Sequence, residues 1–77
     1  MKDIELEFDR LLDPILQDKS IWSSGNKFTI AMTVLCRNTF LEGFNEDDIR
    51  KLITELYRRR DLKMDYHFKS KGFDYSI

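Results

Sequence analysis

The sequence predicts a mostly helical domain that ends in a β-hairpin, an α+β fold with the element order of a winged helix. Three observations lead to this prediction. The apolar run Phe28–Phe44 is long and periodic enough for a central helix. A second helical period covers residues 49–57, and after Asp61 the period changes to two. Since the chain has 77 residues, we expect one domain, residues 1–77, with three helices arranged around the central apolar helix.

The N-terminal segment, residues 3–19, is predicted to form the first helix, with Asp3 as its N-cap. Residues 4–8 also alternate between apolar and charged, as a half-buried strand would, so helix and strand both remain open there. Pro14 lacks a backbone donor, so we expect a helix that is kinked or restarted near Asp13. The residues that support the helix share one apolar stripe: Ile4, Phe8, Leu11, Leu12 and Ile15.

Residues 20–27 are rich in Ser, Gly and Asn and are predicted to form a loop. Trp22 lies in this loop and has two interpretations. The favoured one is that the indole folds back over the small core. The other is that it is a partly exposed anchor for a partner protein, because tryptophan is enriched at interface hot spots.

The central helix is expected to begin at a cap residue, Ser24 or Asn26, and to end at Gly43. It has apolar residues around most of its circumference, which is typical of a helix surrounded by other elements. Three apolar stripes support this expectation. The first contains Phe28, Ala31, Met32 and Leu35, the second Ile30, Val34 and Leu41, and the third Cys36, Phe40 and Phe44.

The third helix has the clearest start signal in the chain. Asn45 is a good cap, and the three acids Glu46–Asp48 lie in the first turn, where the helix dipole favours them. The apolar positions then follow a helical period from Ile49 to Tyr57, and opposite charges four residues apart support an exposed outer face.

The last segment, residues 63–77, is predicted to form the hairpin. Apolar residues alternate with polar ones on both sides of the turn Lys69–Gly72, where Gly72 is free to adopt a positive φ. In the register that places every apolar side chain on one face, His67 lies opposite Asp74 on the solvent face. The paired apolar residues are Met64 with Ile77, Tyr66 with Tyr75, and Phe68 with Phe73.

The residue types argue against catalysis, and we expect no enzyme, metal site or cofactor. The chain has one histidine, one cysteine and three widely separated glycines, so it lacks metal-ligand spacing and a phosphate-binding loop. Cys36 is expected to be a small buried hydrophobe. The lone cysteine, the acidic N-terminus and the absence of a long uninterrupted apolar run predict a soluble cytoplasmic protein without a membrane segment.

The favoured functional interpretation is a small regulatory protein that binds another protein, of the adaptor, antitoxin-like or inhibitor type. The charges are asymmetric, with an acidic front and a basic tail, which can determine the choice of partner. The exposed apolar residues of the first two helices are also compatible with a homodimer. The predicted partner-binding residues are Trp22, Arg58, Arg59, Arg60 and Lys63.

The alternative is a winged-helix-like DNA-binding transcriptional regulator. Leu41–Phe44 would be its turn, residues 46–60 its recognition helix and residues 63–77 its wing. The three acids Glu46–Asp48 argue against it, because they would face a polyanion. The residues that would contact nucleic acid are Arg50, Lys51, Arg58, Lys69 and Lys71.

Overall fold

The computed structural model describes residues 3–70, with side chains through Tyr66. A 3-10 turn at Glu5–Glu7 leads into four α-helices, and this part of the chain contains no strand. The helices are α1 (Phe8–Leu16), α2 (Lys19–Trp22), α3 (Gly25–Leu41) and α4 (Glu46–Ser70).

The predicted C-terminal hairpin is wrong over its first strand, because α4 continues without interruption to Ser70. Met64 is half-buried against the core, whereas Tyr66 is 77% exposed, so these residues do not share a face as strand positions would. No glycine or proline follows Leu56 within α4 to end the helix, and each added residue extends an existing nucleus at little cost. The second predicted strand, residues 73–77, lies outside the described residues.

The first predicted helix consists of the 3-10 turn and α1, and neither part is a strand. Pro14 lies inside α1, and the helix runs through Asp13. Of the two alternatives predicted near Asp13, a kink or a restart, the restart is therefore wrong. Since proline cannot donate a hydrogen bond to the preceding turn, α1 lacks the bond from residue 14 to the Arg10 carbonyl.

The predicted loop, residues 20–27, is mostly helical. The Asp18 carboxylate caps α2 by accepting hydrogen bonds from the Ser20 amide at 3.0 Å and the Ser20 hydroxyl at 2.6 Å. These bonds are the main cause of the lowered pKa of Asp18. Ser24 caps α3 and accepts from the Lys27 amide at 3.2 Å, as predicted. A single turn such as α2 is too short to produce a hydrophobic period.

The core lies where α1, α3 and α4 meet. Its fully or almost fully buried apolar side chains are Leu12, Phe28, Leu52 and Leu56. Thr39 is also fully buried, and its hydroxyl donates to the backbone oxygens of Leu35 and Cys36. The residues that α3 contributes to the core all lie on one face of that helix.

The expectation that α3 is surrounded on all sides is wrong. Its buried residues are Phe28, Leu35 and Thr39, which share one face. The predicted stripe at Ile30, Val34 and Leu41 is 64%, 50% and 72% exposed, respectively. The short helices α1 and α2 and one side of α4 supply too little surface to cover a helix of this length.

The end of α3 determines the angle at which α4 leaves. Gly43 has a φ of +99°, the Phe44 amide donates to the Thr39 carbonyl at 3.1 Å, and the Gly43 amide donates to the Phe40 carbonyl at 3.1 Å. This is the Schellman arrangement, which satisfies the last carbonyls of a helix. Asn45 then caps α4 and accepts from the Asp48 amide at 2.8 Å, as predicted.

Replacing Gly43 by alanine is expected to lower the free energy of unfolding by about 1–2 kcal/mol. The open space around its Cα leaves the backbone conformation as the cause, because a Cβ there would meet no neighbouring atom. Urea denaturation followed by circular dichroism measures this change. Gly25→Ala is the matched control, since Gly25 has open space as well but no positive φ, and it should not destabilise. Equal effects of both variants would contradict the account.

Candidate functional site

Trp22, the predicted anchor for a partner, is buried in the core with 8% of its surface exposed. Its backbone carbonyl accepts a hydrogen bond from Arg60 Nε at 2.8 Å. The same guanidinium lies over the Phe28 ring, with Cζ 4.3 Å from the centroid. Trp22 and Arg60 are therefore brought together, and their contacts stabilise the packing of α2 and α3 against α4.

Arg58 and Arg59 converge on one carboxylate. Arg58 donates two hydrogen bonds of 2.6 Å to Glu55, and Arg59 donates to Glu55 at 3.0 Å and to Asp9 on α1 at 2.8 Å. Lys63 lies apart from this cluster, exposed on α4. The partner-binding role predicted for Arg58, Arg59 and Lys63 stays a prediction. The contacts observed for Arg58 and Arg59 are with acidic side chains of this chain.

Four residues of the nucleic-acid alternative, Arg50, Lys51, Arg58 and Lys69, belong to α4, and their part in nucleic-acid binding stays a prediction. Arg50 pairs with Glu46 at 3.2 Å and lies 3.9 Å from Asp47, so acids accompany it. Lys51 is exposed, Lys69 belongs to α4 instead of a wing, and Lys71 is outside the described range. The helical path of residues 63–70 removes the strand on which the wing prediction depended.

The most distinctive exposed surface is a stripe along α3, which we call the α3 seam. Its members are spaced three, four, three and four residues apart, which is the a/d spacing of a heptad repeat. At 100° per residue they fall within an arc of about 80°, and they extend over about 21 Å. The seam consists of Lys27, Ile30, Val34, Arg37 and Leu41, all exposed.

The charges of the seam are all positive, because α3 contains Lys27 and Arg37 but no acidic residue. Arg37 makes no ion pair with any residue in the described part of the chain. Lys27 contributes a minor share to the lowered pKa of Asp18, after the hydrogen bonds from Ser20. The seam thus offers two exposed cations among three aliphatic side chains.

A groove of about 430 Å³ lies beside the seam, bounded by α1, α2 and α3. Val34 belongs to both surfaces. At one end the groove meets an ion pair between Arg10 and Glu42, whose Nη2 and Oε1 atoms are 3.0 Å apart. The apolar residues along its walls are Leu11, Pro14, Ile15, Ile21, Ala31, Val34 and Leu35.

A second and larger groove, of about 730 Å³, lies between α3 and α4. Its apolar lining includes Phe40, which is 70% exposed, and Cys36. Burial raises the pKa of the Cys36 thiol, which is typical of an unreactive side chain. The charges at its rim, Glu46 and Arg50, neutralise each other, so this groove shows no preference for the charge of a ligand.

The energy available from the seam alone is small. Covering three partly exposed aliphatic side chains contributes about 1–2 kcal/mol each. Association opposes this with at least about 4 kcal/mol of lost translational and rotational freedom. A stable complex on this face therefore needs the adjoining groove and the two cations as well.

The described part of the chain contains no group of three histidine, cysteine or acidic side chains that could hold a metal ion. Within the same range, no helix is both long enough and apolar enough to cross a membrane.

Comparison with known proteins adds no functional residue, since no family model, curated protein or solved structure matches the chain.

Sequence reasoning recognised Ile30, Val34 and Leu41 as a stripe but assigned them to the core. The signal for exposure was Lys27 and Arg37, which occupy seam positions in the same heptad spacing. Unpaired cations are rarely buried, so two of them on one stripe indicate that solvent or a partner reaches the whole stripe.

The Glu55 cluster predicts how stability depends on pH. The hydrogen bonds from Arg58, together with Arg59, lower the pKa of Glu55 from 4.5 to about 2. Because the folded-state pKa is lowered, this stabilisation is present above pH 4.5 and is lost as the pH falls from 4.5 to about 2.

In urea denaturation over this range, Glu55→Gln should show a shallower loss of stability than the wild type. Asp61→Asn, at an exposed acid outside the cluster, should retain the wild-type slope. An unchanged slope in Glu55→Gln would contradict this assignment.

Proposed function

We propose that this chain is a small non-enzymatic regulatory protein that acts by binding another protein through the α3 seam. The observation that supports the proposal most directly is the exposure of Ile30, Val34 and Leu41 in heptad spacing. Single exposed apolar residues are ordinary on a protein surface, but an aligned series beside an apolar groove is typical of an interaction site.

The seam is suited to binding because it is rigid and already formed. The opposite face of α3 is held by Phe28, Leu35 and Thr39 in the core, and both ends of the helix are capped. A partner helix would therefore meet aliphatic side chains whose backbone needs no ordering. Pre-organisation of this kind reduces the entropic cost of association.

This site differs from the one predicted at Trp22 and Arg58–Arg60. Those residues already contact the fold, so a partner would have to compete with a cation–π contact and with ion pairs. Lys63 and the rest of the basic tail remain compatible with a secondary contribution to partner attraction through their charge.

Val34→Lys is expected to abolish partner capture, because an ammonium group would replace the aliphatic side chain at the centre of the seam and would be buried there without a partner. The measurement is cross-linked affinity capture from the cells that express the protein, with bound proteins identified by mass spectrometry. Val34 is 50% exposed, so the variant should keep its fold, which thermal denaturation checks.

The matched control is Leu62→Lys, at an aliphatic residue on α4 that is 56% exposed and lies outside the seam. A protein that is retained by the wild type and by Leu62→Lys but lost from Val34→Lys would support the proposal. Equal retention by all three forms would show that the seam is not the binding surface.

A further inference from the structure

The cations of the α3 seam restrict what kind of helix can cover it. This deepens the function proposed above and rests on it. Lys27 and Arg37 occupy seam positions, so any helix packed along the seam must place one of its own seam residues opposite each of them. Burial of an unpaired cation against an aliphatic residue is unfavourable, whereas a carboxylate opposite it supplies a hydrogen-bonded ion pair.

Pairing of α3 with α3 of a second copy does not meet that requirement. Parallel pairing of two α3 helices in register places Arg37 opposite Arg37 of the second copy, and Lys27 opposite Lys27. Antiparallel pairing centred on Val34 places Arg37 opposite Ile30 of the second copy. Since α3 contains no acidic residue, neither seam of such a dimer supplies a carboxylate to its partner.

We propose that the occupant of the α3 seam is an acidic amphipathic helix of another protein. Its carboxylates lie opposite Lys27 and Arg37, and its aliphatic side chains lie opposite the three apolar positions of the seam. In heptad spacing, such a helix reads acid, apolar, apolar, acid, apolar along its seam. Apolar side chains of the same partner helix that lie beside its seam residues cover the groove next to Val34. This contact supplies the additional buried area that the seam requires.

The charge distribution elsewhere in the chain is consistent with this occupant. The acids of α4 lie at its start, Glu46–Asp48, and Glu55 is bound by two arginines. The acids nearest the seam lie at its two ends. Glu42 shares Arg10 with Glu7, at 3.0 and 3.1 Å, and Asp18, which caps α2, lies near Lys27. Within α3 itself the only charged side chains are Lys27 and Arg37, so a carboxylate placed opposite either of them meets a cation.

The test uses the full chain and a helical peptide of about four heptads whose seam residues are Glu, Leu, Leu, Glu, Leu, Leu and Glu. This series has the same order in both directions, so it matches the seam in a parallel or an antiparallel orientation. A second peptide has lysine in place of each seam glutamate. Binding of each labelled peptide is measured by fluorescence anisotropy at low and at physiological salt.

The wild type is expected to bind the glutamate peptide about tenfold more tightly than the lysine peptide at low salt, with a smaller difference at higher salt. The double variant Lys27→Glu/Arg37→Glu should reverse this order. The control Lys19→Glu/Lys51→Glu changes the net charge by the same amount at exposed positions outside the seam, so it should keep the wild-type preference.

Three outcomes would overturn the inference. One is equal binding of the two peptides, and another is binding of neither. The third is a wild-type dimer in sedimentation equilibrium that Val34→Lys dissociates, because a second copy would then be the occupant. The failure of the proposed function is distinguishable from these outcomes, since it would appear as equal retention of captured proteins by the wild type, Leu62→Lys and Val34→Lys.

Discussion

Phe28 and the Arg60 guanidinium that covers it join three of the four helices, and the rest of the structure depends on how the Phe28 ring is enclosed. The ring is 2% exposed and meets the Tyr57 ring edge-on, with centroids 5.5 Å apart and an interplanar angle of 64°. Arg60 covers it with a guanidinium that also donates to the Trp22 carbonyl at 2.8 Å. The Phe28 ring thus anchors α4 against α3, and the arginine that covers it also holds α2; the buried ring lies on the face of α3 that points into the core.

The other face of α3 remains exposed as a consequence of size. A domain of about 60–80 residues buries only about 60% of the surface that its unfolded chain exposes. Here α1 and α2 together contribute few turns, and α4 contacts α3 along one side. An additional helix from a partner would complete the enclosure of α3, and the seam at Ile30, Val34 and Leu41 is where that helix would lie. The same apolar spacing therefore gives α3 one face in the core and one exposed face, which is the proposed site of recognition.

Features that depend on neighbouring residues in the sequence were predictable, and contacts between residues far apart in the sequence were not. The caps at Ser24 and Asn45 and the turn at Gly43 depend on neighbouring residues, so residue type alone indicated them. The alternation from Met64 to Phe68 suits a strand. However, α4 contains no glycine or proline before Met64 to end the helix, so the helix continues through the alternating segment. The contact between Trp22 and Arg60 joins residues 38 positions apart, which no local pattern reveals. Coverage of α3 likewise depended on the lengths and positions of other helices.

One face of α3 is enclosed in the free protein while the seam stays open. Carbene footprinting with mass spectrometry tests this arrangement directly, because the reagent inserts into any accessible side chain, including aliphatic ones. We expect strong labelling of Ile30, Val34 and Leu41, together with protection of Phe28 and Leu35 in the same helix. Protection of the seam to the same degree as Phe28, at a concentration where the chain sediments as a monomer, would contradict it.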